Sequence, residues 1–241
     1  LAEQLPKLKL LNEVQRRRSG ALRLPSDGGG RSILADLNND GYDEIIFCNF
    51  KHNTTIYSNA LIYWNSPEGF RADRRTELPT LLPGGVAAAD FNQDGFVDVA
   101  FANRGNFEWL SDVKPHGHLE SYVYWNGPTG FDVRRRTSLP ASTAVDCAAE
   151  DLNHDGYPEL MLVNNNRQEK SVYLYWGGAQ GFSVDRRTSW KSHDPIALRI
   201  ADLDGDQAPE IYVGVNNQSI YKMMPDGSTA WGAHNGTAPA N

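Results

Sequence analysis

One nine-residue pattern constrains this chain more than anything else in it. It is clearest at Asp151-Leu-Asn-His-Asp-Gly-Tyr-Pro-Glu159. Asp151, Asn153 and Asp155 put oxygen-bearing side chains at alternate positions, Gly156 follows, and Glu159 adds a carboxylate at position nine. Calcium takes six to eight oxygen ligands at flexible distances, and this spacing wraps a short loop around one such ion. Glycine at position six takes the turning backbone angles without a side-chain clash. The pattern recurs as Asp36, Asn38, Asp40, Gly41 and Glu44, and as Asp90, Asn92, Asp94, Gly95 and Asp98. A fourth copy reads Asp202, Asp204, Asp206 and Glu210, with Gln207 where glycine is expected. One acidic loop could be an ordinary turn, since Asp, Asn and Gly are common turn residues. Four copies in register point to metal loops.

The flanks of each loop are alike. Short apolar runs precede them (Ile33–Ala35, Val86–Ala89, Cys147–Ala149, Leu198–Ala201), and others follow (Ile45–Phe47, Val99–Phe101, Leu160–Val163, Ile211–Val213). These runs are too short for helices and rich in strand formers, so each unit reads strand, loop, strand. An EF-hand needs flanking helices and a glutamate at loop position twelve. Position twelve is here Phe47, Phe101, Leu162 and Val213, which excludes it.

The four loops also account for the charge. The chain has a formal net charge of −7. Four calcium ions would add eight positive charges and bring the total to about +1. No acidic surface remains to recruit a basic partner, and no basic stripe marks a nucleic-acid site. No secretory signal or membrane-spanning helix is visible, so membrane insertion is not expected. The first residue is Leu1 rather than Met, which suggests a processed or trimmed N-terminus from which a signal could have been lost. Cys48 and Cys147 belong to non-adjacent repeats and read as two buried free thiols rather than a disulfide.

The repeat extends well beyond the loops. After each of the first three comes an aromatic strand: Ala60–Trp64, Tyr122–Trp125 and Val172–Trp176. A Gly-Phe pair follows (Gly69–Phe70, Gly130–Phe131, Gly181–Phe182), then an Arg-Arg-Thr segment (Arg74–Thr76, Arg135–Thr137, Arg186–Thr188). The opening aspartates are 54, 61 and 51 residues apart, room for four short strands per unit. Four-stranded units at such a period are the sequence mark of propeller blades. The predicted fold is therefore an all-β propeller of about four blades, a partial or small ring, within one repeat domain over residues 1–241. Residues 1–31 form an N-terminal segment and the end of a preceding repeat. The repeats then span 32–85, 86–145, 146–197 and 198–241, the last including the tail. Val14–Pro25 resembles Val133–Pro140, so the chain enters partway through a repeat.

These residues resemble the FG-GAP/VCBS repeat, whose loops occur in integrin α-like and secreted bacterial propellers. The motif is Asp-x-Asn-x-Asp-Gly with its following acid and strand, plus the downstream Tyr-Trp and Gly-Phe pairs, and the resemblance covers residues 14–233. It implies calcium held by side chains at positions one, three, five and nine together with the position-seven carbonyl. Those carbonyls belong to Tyr42, Phe96, Tyr157 and Ala208. Up to four structural calcium ions are expected. The family usually closes a ring of about seven blades, so other domains or chains that complete the ring are expected partners.

Three further features bear on function. The Tyr-Trp pairs (Tyr63/Trp64, Tyr124/Trp125, Tyr175/Trp176) could stack on sugars, but their recurrence in every full unit favours packing between blades. The Arg pairs (Arg74/Arg75, Arg135/Arg136, Arg186/Arg187) could grip acidic glycans, but recurrence again favours a scaffold role on the outermost strand. The Arg104–His118 insertion lengthens the second period and repeats nowhere else. Loops that depart from a scaffold tend to carry its function, so Phe107, Trp109, His116 and His118 are candidate ligand contacts. No nucleophile elbow, zinc-protease helix or phosphate loop is present, which leaves no catalytic residues to name. The leading expectation is a secreted, periplasmic or cell-surface module, stabilised by calcium, that binds a glycan or protein. The alternatives are a propeller domain of a secreted lyase or hydrolase and a purely architectural segment.

Overall fold

The computed structural model describes residues 22–50, 56–105, 119–166, 169–203, 205, 206, 208–216, 219–223 and 229–230. Among the described residues there are four four-stranded antiparallel sheets, each a simple meander. Sheet one holds β1 (Gly29–Ala35), β2 (Glu44–Asn49), β3 (Ser58–Tyr63) and β4 (Arg75–Thr80). Sheet two holds β5 (Pro83–Ala89), β6 (Asp98–Asn103), β7 (Leu119–Tyr124) and β8 (Arg136–Ala141). Sheet three holds β9 (Ala144–Glu150), β10 (Glu159–Asn165), β11 (Lys170–Tyr175) and β12 (Arg187–Lys191). Sheet four holds β13 (Pro195–Ala201), β14 (Glu210–Val215), β15 (Ser219–Met223) and β16 (Thr229–Ala230). Among the described residues the one helical turn is a 3-10 turn at Val184–Arg186. These are propeller-type blades, as the repeat period predicts, and they form an open array rather than a closed ring.

Alternation along the strands explains how the blades pack. Successive side chains point to opposite faces of a sheet. On β10, Leu160 and Leu162 pack against sheet two, whereas Met161 and Val163 pack against sheet four. With both faces buried, the central strands have to be apolar throughout, and Leu160-Met-Leu-Val163 is. Three such cores lie between successive sheets. The face of sheet one turned away from sheet two carries a smaller cluster of Leu61, Tyr63 and Phe70 with Ile45, Phe47 and Leu24. Its members occupy the same repeat positions as Val99, Phe101, Tyr122, Tyr124 and Phe131, which build the core between sheets one and two. The face is therefore half of an inter-blade core.

The first strands of the blades lie closest together. A Cβ on Gly84 would stand 2.6 Å from the carbonyl oxygen of Val145, and one on Gly85 would stand 2.8 Å from the Cα of Asp146. Only glycine lets β5 approach β9 to this distance. The connections β1–β2, β5–β6, β9–β10 and β13–β14 leave from one end of the array, and these are the four acidic loops.

The aromatic pairs serve packing. Tyr63, Tyr124 and Tyr175 are fully buried. Trp64, Trp125 and Trp176 each donate the indole N–H to a threonine hydroxyl, at Thr76, Thr137 and Thr188, at 2.9 Å in every case. Trp125 of sheet two stacks on Phe182 of sheet three, with 6.3 Å between ring centres. The Arg pairs begin the outer strands, as expected, and turn their heads inward. Arg74 and Arg186 donate to the carbonyls of Trp64 and Trp176, and Arg135 donates to that of Asn126. Arg136 and Arg187 lie over the rings of Tyr122 and Tyr173 at 4.1 Å, a cation–π contact. Both cysteines are free and buried. Burial pushes the Cys48 thiol up to about 12 and raises that of Cys147 as well.

Candidate metal centre

In the first loop Asn39 adopts φ 58° and Gly41 φ 87°. These left-handed residues bend the chain so that backbone N–H groups face the side chains ahead of them. The amide of Asp40 donates to Asp36 Oδ1 at 3.1 Å and to Asn38 Oδ1 at 3.0 Å. Gly41 donates to Asp36 Oδ2 at 2.8 Å, and Tyr42 donates to Asp40 Oδ1 at 2.8 Å. The oxygens of positions one and three thus meet at a single amide, with position five beside them. The second loop repeats this net with Asp90, Asn92 and Asp94 around the amides of Asp94, Gly95 and Phe96. The third repeats it with Asp151, Asn153 and Asp155 around those of Asp155, Gly156 and Tyr157.

The acid at position nine starts the second strand and lies beneath the loop. Glu44, Asp98 and Glu159 are fully buried. Glu44 accepts from the amide of Leu37 within its own loop at 2.8 Å and from that of Asn65, beyond the aromatic strand, at 3.2 Å. Asp98 accepts from Phe91 and Asn126 in the same manner, and Glu159 from Leu152 and Gly177. Burial is the largest influence on these carboxyls and raises them, to about 7 for Glu44 and Asp98. The N–H donors pull them down, and the loop aspartates push them up again. Glu159 is raised for the same reasons. A buried carboxylate beside two further carboxylates favours a nearby cation.

The fourth loop differs in detail. Asp202, Asp206 and Glu210 bring carboxylate oxygens within 4.8 Å of one another, the one such cluster among the described residues. Leu203 donates to Glu210 Oε2 at 2.8 Å, as the equivalent residues do elsewhere. The other oxygen of Glu210 faces the Lys222 ammonium at 3.2 Å. The equivalent positions in the other blades are Ile62, Val123 and Leu174, all fully buried. Asp204 and Gln207 lie outside the described residues, as do Phe107, Trp109, His116 and His118.

The loops also touch one another. Asn39 donates from Nδ2 to the Gly95 carbonyl at 2.7 Å, which joins the first loop to the second. Asn126 donates to the carbonyls of Leu37 and Val97 at 2.8 and 3.1 Å. Motif spacing did not single out Asn65 or Asn126. The faint signal was an asparagine directly after Tyr-Trp in two of three units, with Gly177 in the third.

Nine-residue loops between the first two strands of repeated four-stranded sheets make a specific combination. The FG-GAP-like repeat matches the chain three times, over residues 36–101, 90–162 and 151–213. The chain belongs to the FG-GAP-like repeat family. Among curated proteins it is similar to human integrin alpha-6, at 25% identity over 141 residues, and to chicken integrin alpha-6, at 24% over 152 residues. These alignments cover 56% and 58% of this chain but only 12% and 14% of the relatives. Each FG-GAP-like match runs from one acidic loop through the second strand that follows the next, so the family pattern spans the blade boundaries and includes the interlocking loops.

Proposed function

We propose that the chain is a calcium-stabilised extracellular binding module whose partner is a protein. The observation that carries this reading is the threefold repetition of one hydrogen-bond net, with the clustered carboxylates of the fourth loop beside it. The donor set fits the ion. Asp36, Asn38, Asp40 and Glu44 supply hard oxygens, as do their counterparts, and hard oxygens suit calcium. The carbonyls of Tyr42, Phe96, Tyr157 and Ala208 complete the proposed ligand sets. A bound calcium would offset the negative charge that each loop gathers and hold the first strand of a blade to its second. In this role the loops are structural, and the residues of positions one to nine bind the ion rather than a partner.

The similarity to integrin alpha-6 supports a protein partner and a secreted or cell-surface setting. No helix among the described residues is long and apolar enough to cross a membrane. The half-core on the outer face of sheet one supports further blades of the same kind that complete the array. The partner face is the end opposite the metal loops, where the β2–β3, β6–β7 and β10–β11 connections lie. The Arg104–His118 insertion belongs to β6–β7, and Phe107, Trp109, His116 and His118 remain its proposed contacts. Two measurements test the reading. Calorimetric titration of calcium into the stripped chain should show up to four sites, and no heat at all contradicts it. Deletion of residues 106–116 should leave calcium binding intact and weaken capture of the partner.

A further inference from the structure

The first strands of the four blades line a cavity of about 520 Å³. Much of its wall is small and apolar, including Ala87, Ala88, Ala148 and Ala149. Three charged side chains interrupt it: Arg31 on β1, Asp146 on β9 and Arg199 on β13. Asp146 is buried, with 2% of its side chain exposed, and pairs with Arg31 at 2.5 Å and with Arg199 at 3.1 Å. It also accepts the N–H groups of Cys147 at 3.0 Å and Leu198 at 2.9 Å. Four donors converge on one carboxylate, so its acceptor capacity is spent.

One negative charge therefore answers two guanidiniums, and the lining carries a net charge of +1. The Arg31 and Arg199 side chains are 37% and 70% exposed. Each guanidinium has five N–H donors in a planar fork that matches a carboxylate. A third cation stands close by. Arg104 lies over the Phe50 ring at 5.5 Å. Burial lowers its pKa, and the charge of Arg31 lowers it further. Arg104 also begins the insertion, at the end of β6 away from the metal loops.

We infer that this cavity binds the carboxylate of an acidic side chain presented by a protein partner. The arginine forks take the carboxylate. The alanine walls, with Ile33 and Ile200, take the apolar residues beside it. An acidic sugar would instead bring hydroxyls to walls that offer few partners for them. The inference rests on the binding-module reading and names the chemistry of its partner.

The test uses the full calcium-loaded chain and three probes: acetyl-Leu-Glu-Leu-amide, its glutamine counterpart and a sulfated disaccharide. Arginine Nε–H resonances are followed by NMR during titration. The glutamate peptide should shift Arg31 and Arg199 saturably and bind about ten-fold more tightly than the glutamine peptide. Arg199→Gln should reduce that binding about ten-fold; because it also removes a cation from the buried Asp146, its melting temperature is measured alongside, and Arg104→Gln serves as a second variant. Equal binding of the two peptides overturns the inference, as does an unchanged affinity in both variants. Preferred binding of the disaccharide assigns the cavity to acidic sugars and also overturns it. The calcium-induced rise in melting temperature is recorded on the same samples. If that rise persists while the glutamate peptide fails to bind, the cavity inference alone falls. If the rise is absent, the calcium reading fails on its own evidence.

Discussion

Tyr124 donates its phenolic hydroxyl to the backbone carbonyl of Pro79, 2.5 Å away, across the boundary between sheets one and two. Tyr175 makes the same bond to Pro140 at 2.5 Å, across the next boundary. Tyr63 makes it to Pro25. The first two bonds join the third strand of a blade to the outer strand of the blade before it, and the third joins β3 to the segment ahead of β1. Pro25 precedes β1, so Leu24-Pro25 fills the place that Leu78-Pro79 and Leu139-Pro140 fill later. At the last boundary both partners change together, since Met223 and Lys191 stand at the tyrosine and proline positions.

These bonds give a graded prediction. Tyr124→Phe keeps the ring and removes the hydroxyl, and with it the part-buried bond to the Pro79 carbonyl. The loss should be about 1 kcal/mol in urea unfolding, with a similar figure for Tyr175→Phe. Stabilities equal to wild type in both variants would show that the bonds do not hold the blades together.

Gly84→Ala tests the close approach of the first strands. The new methyl would meet the Val145 carbonyl oxygen at 2.6 Å, and that oxygen is β9 backbone, which gives way only if the strand shifts. A loss of about 1–3 kcal/mol is expected, the usual cost of overpacking. Gly41→Ala meets nothing within 4 Å but has to adopt φ 87°, so its cost comes from backbone strain alone, about 1–3 kcal/mol. A Gly84→Ala protein as stable as wild type would place β5 farther from β9 than the structure does.

The four loops should not contribute equally. Asp94→Ala removes an oxygen from a loop that keeps its turning glycine and whose Asp98 meets only N–H donors. Asp206→Ala acts on a loop where Lys222 already neutralises part of the charge at Glu210. The drop in calcium stoichiometry and in melting temperature should be larger for Asp94→Ala. Equal or reversed losses would show that the 4.8 Å carboxylate cluster outweighs the lysine.

What could be read from the sequence follows from the range of the interactions. The acidic loops and their hydrogen-bond nets are local, with positions one to nine only eight residues apart, so spacing exposed them. The strands were equally plain, because apolar runs such as Leu160–Val163 bounded by Asp, Gly and Pro leave few other readings. The Tyr-Trp pairs announced packing through recurrence alone. The Asp146 cluster was hidden. Its partners Arg31 and Arg199 lie far off in sequence and meet it only when the first strands of blades one, three and four converge on the cavity. Lys222 was equally unreadable, because its role depends on the pairing of β14 with β15. For the Arg pairs, position on the outer strand was legible, whereas the inward turn over Tyr122 and Tyr173 depended on cross-strand register.

The central claim is that calcium in these loops holds the first two strands of each blade together, and thermal unfolding with and without chelator tests it most directly. A site kept at a hundred times its Kd adds about 2.7 kcal/mol. In a domain of this size 1 kcal/mol moves Tm by about 2–4 °C. Chelation should therefore lower Tm by about 5–10 °C for each loop emptied, and calcium rather than magnesium should restore it. A melting curve that is the same in excess chelator and in excess calcium would contradict the account.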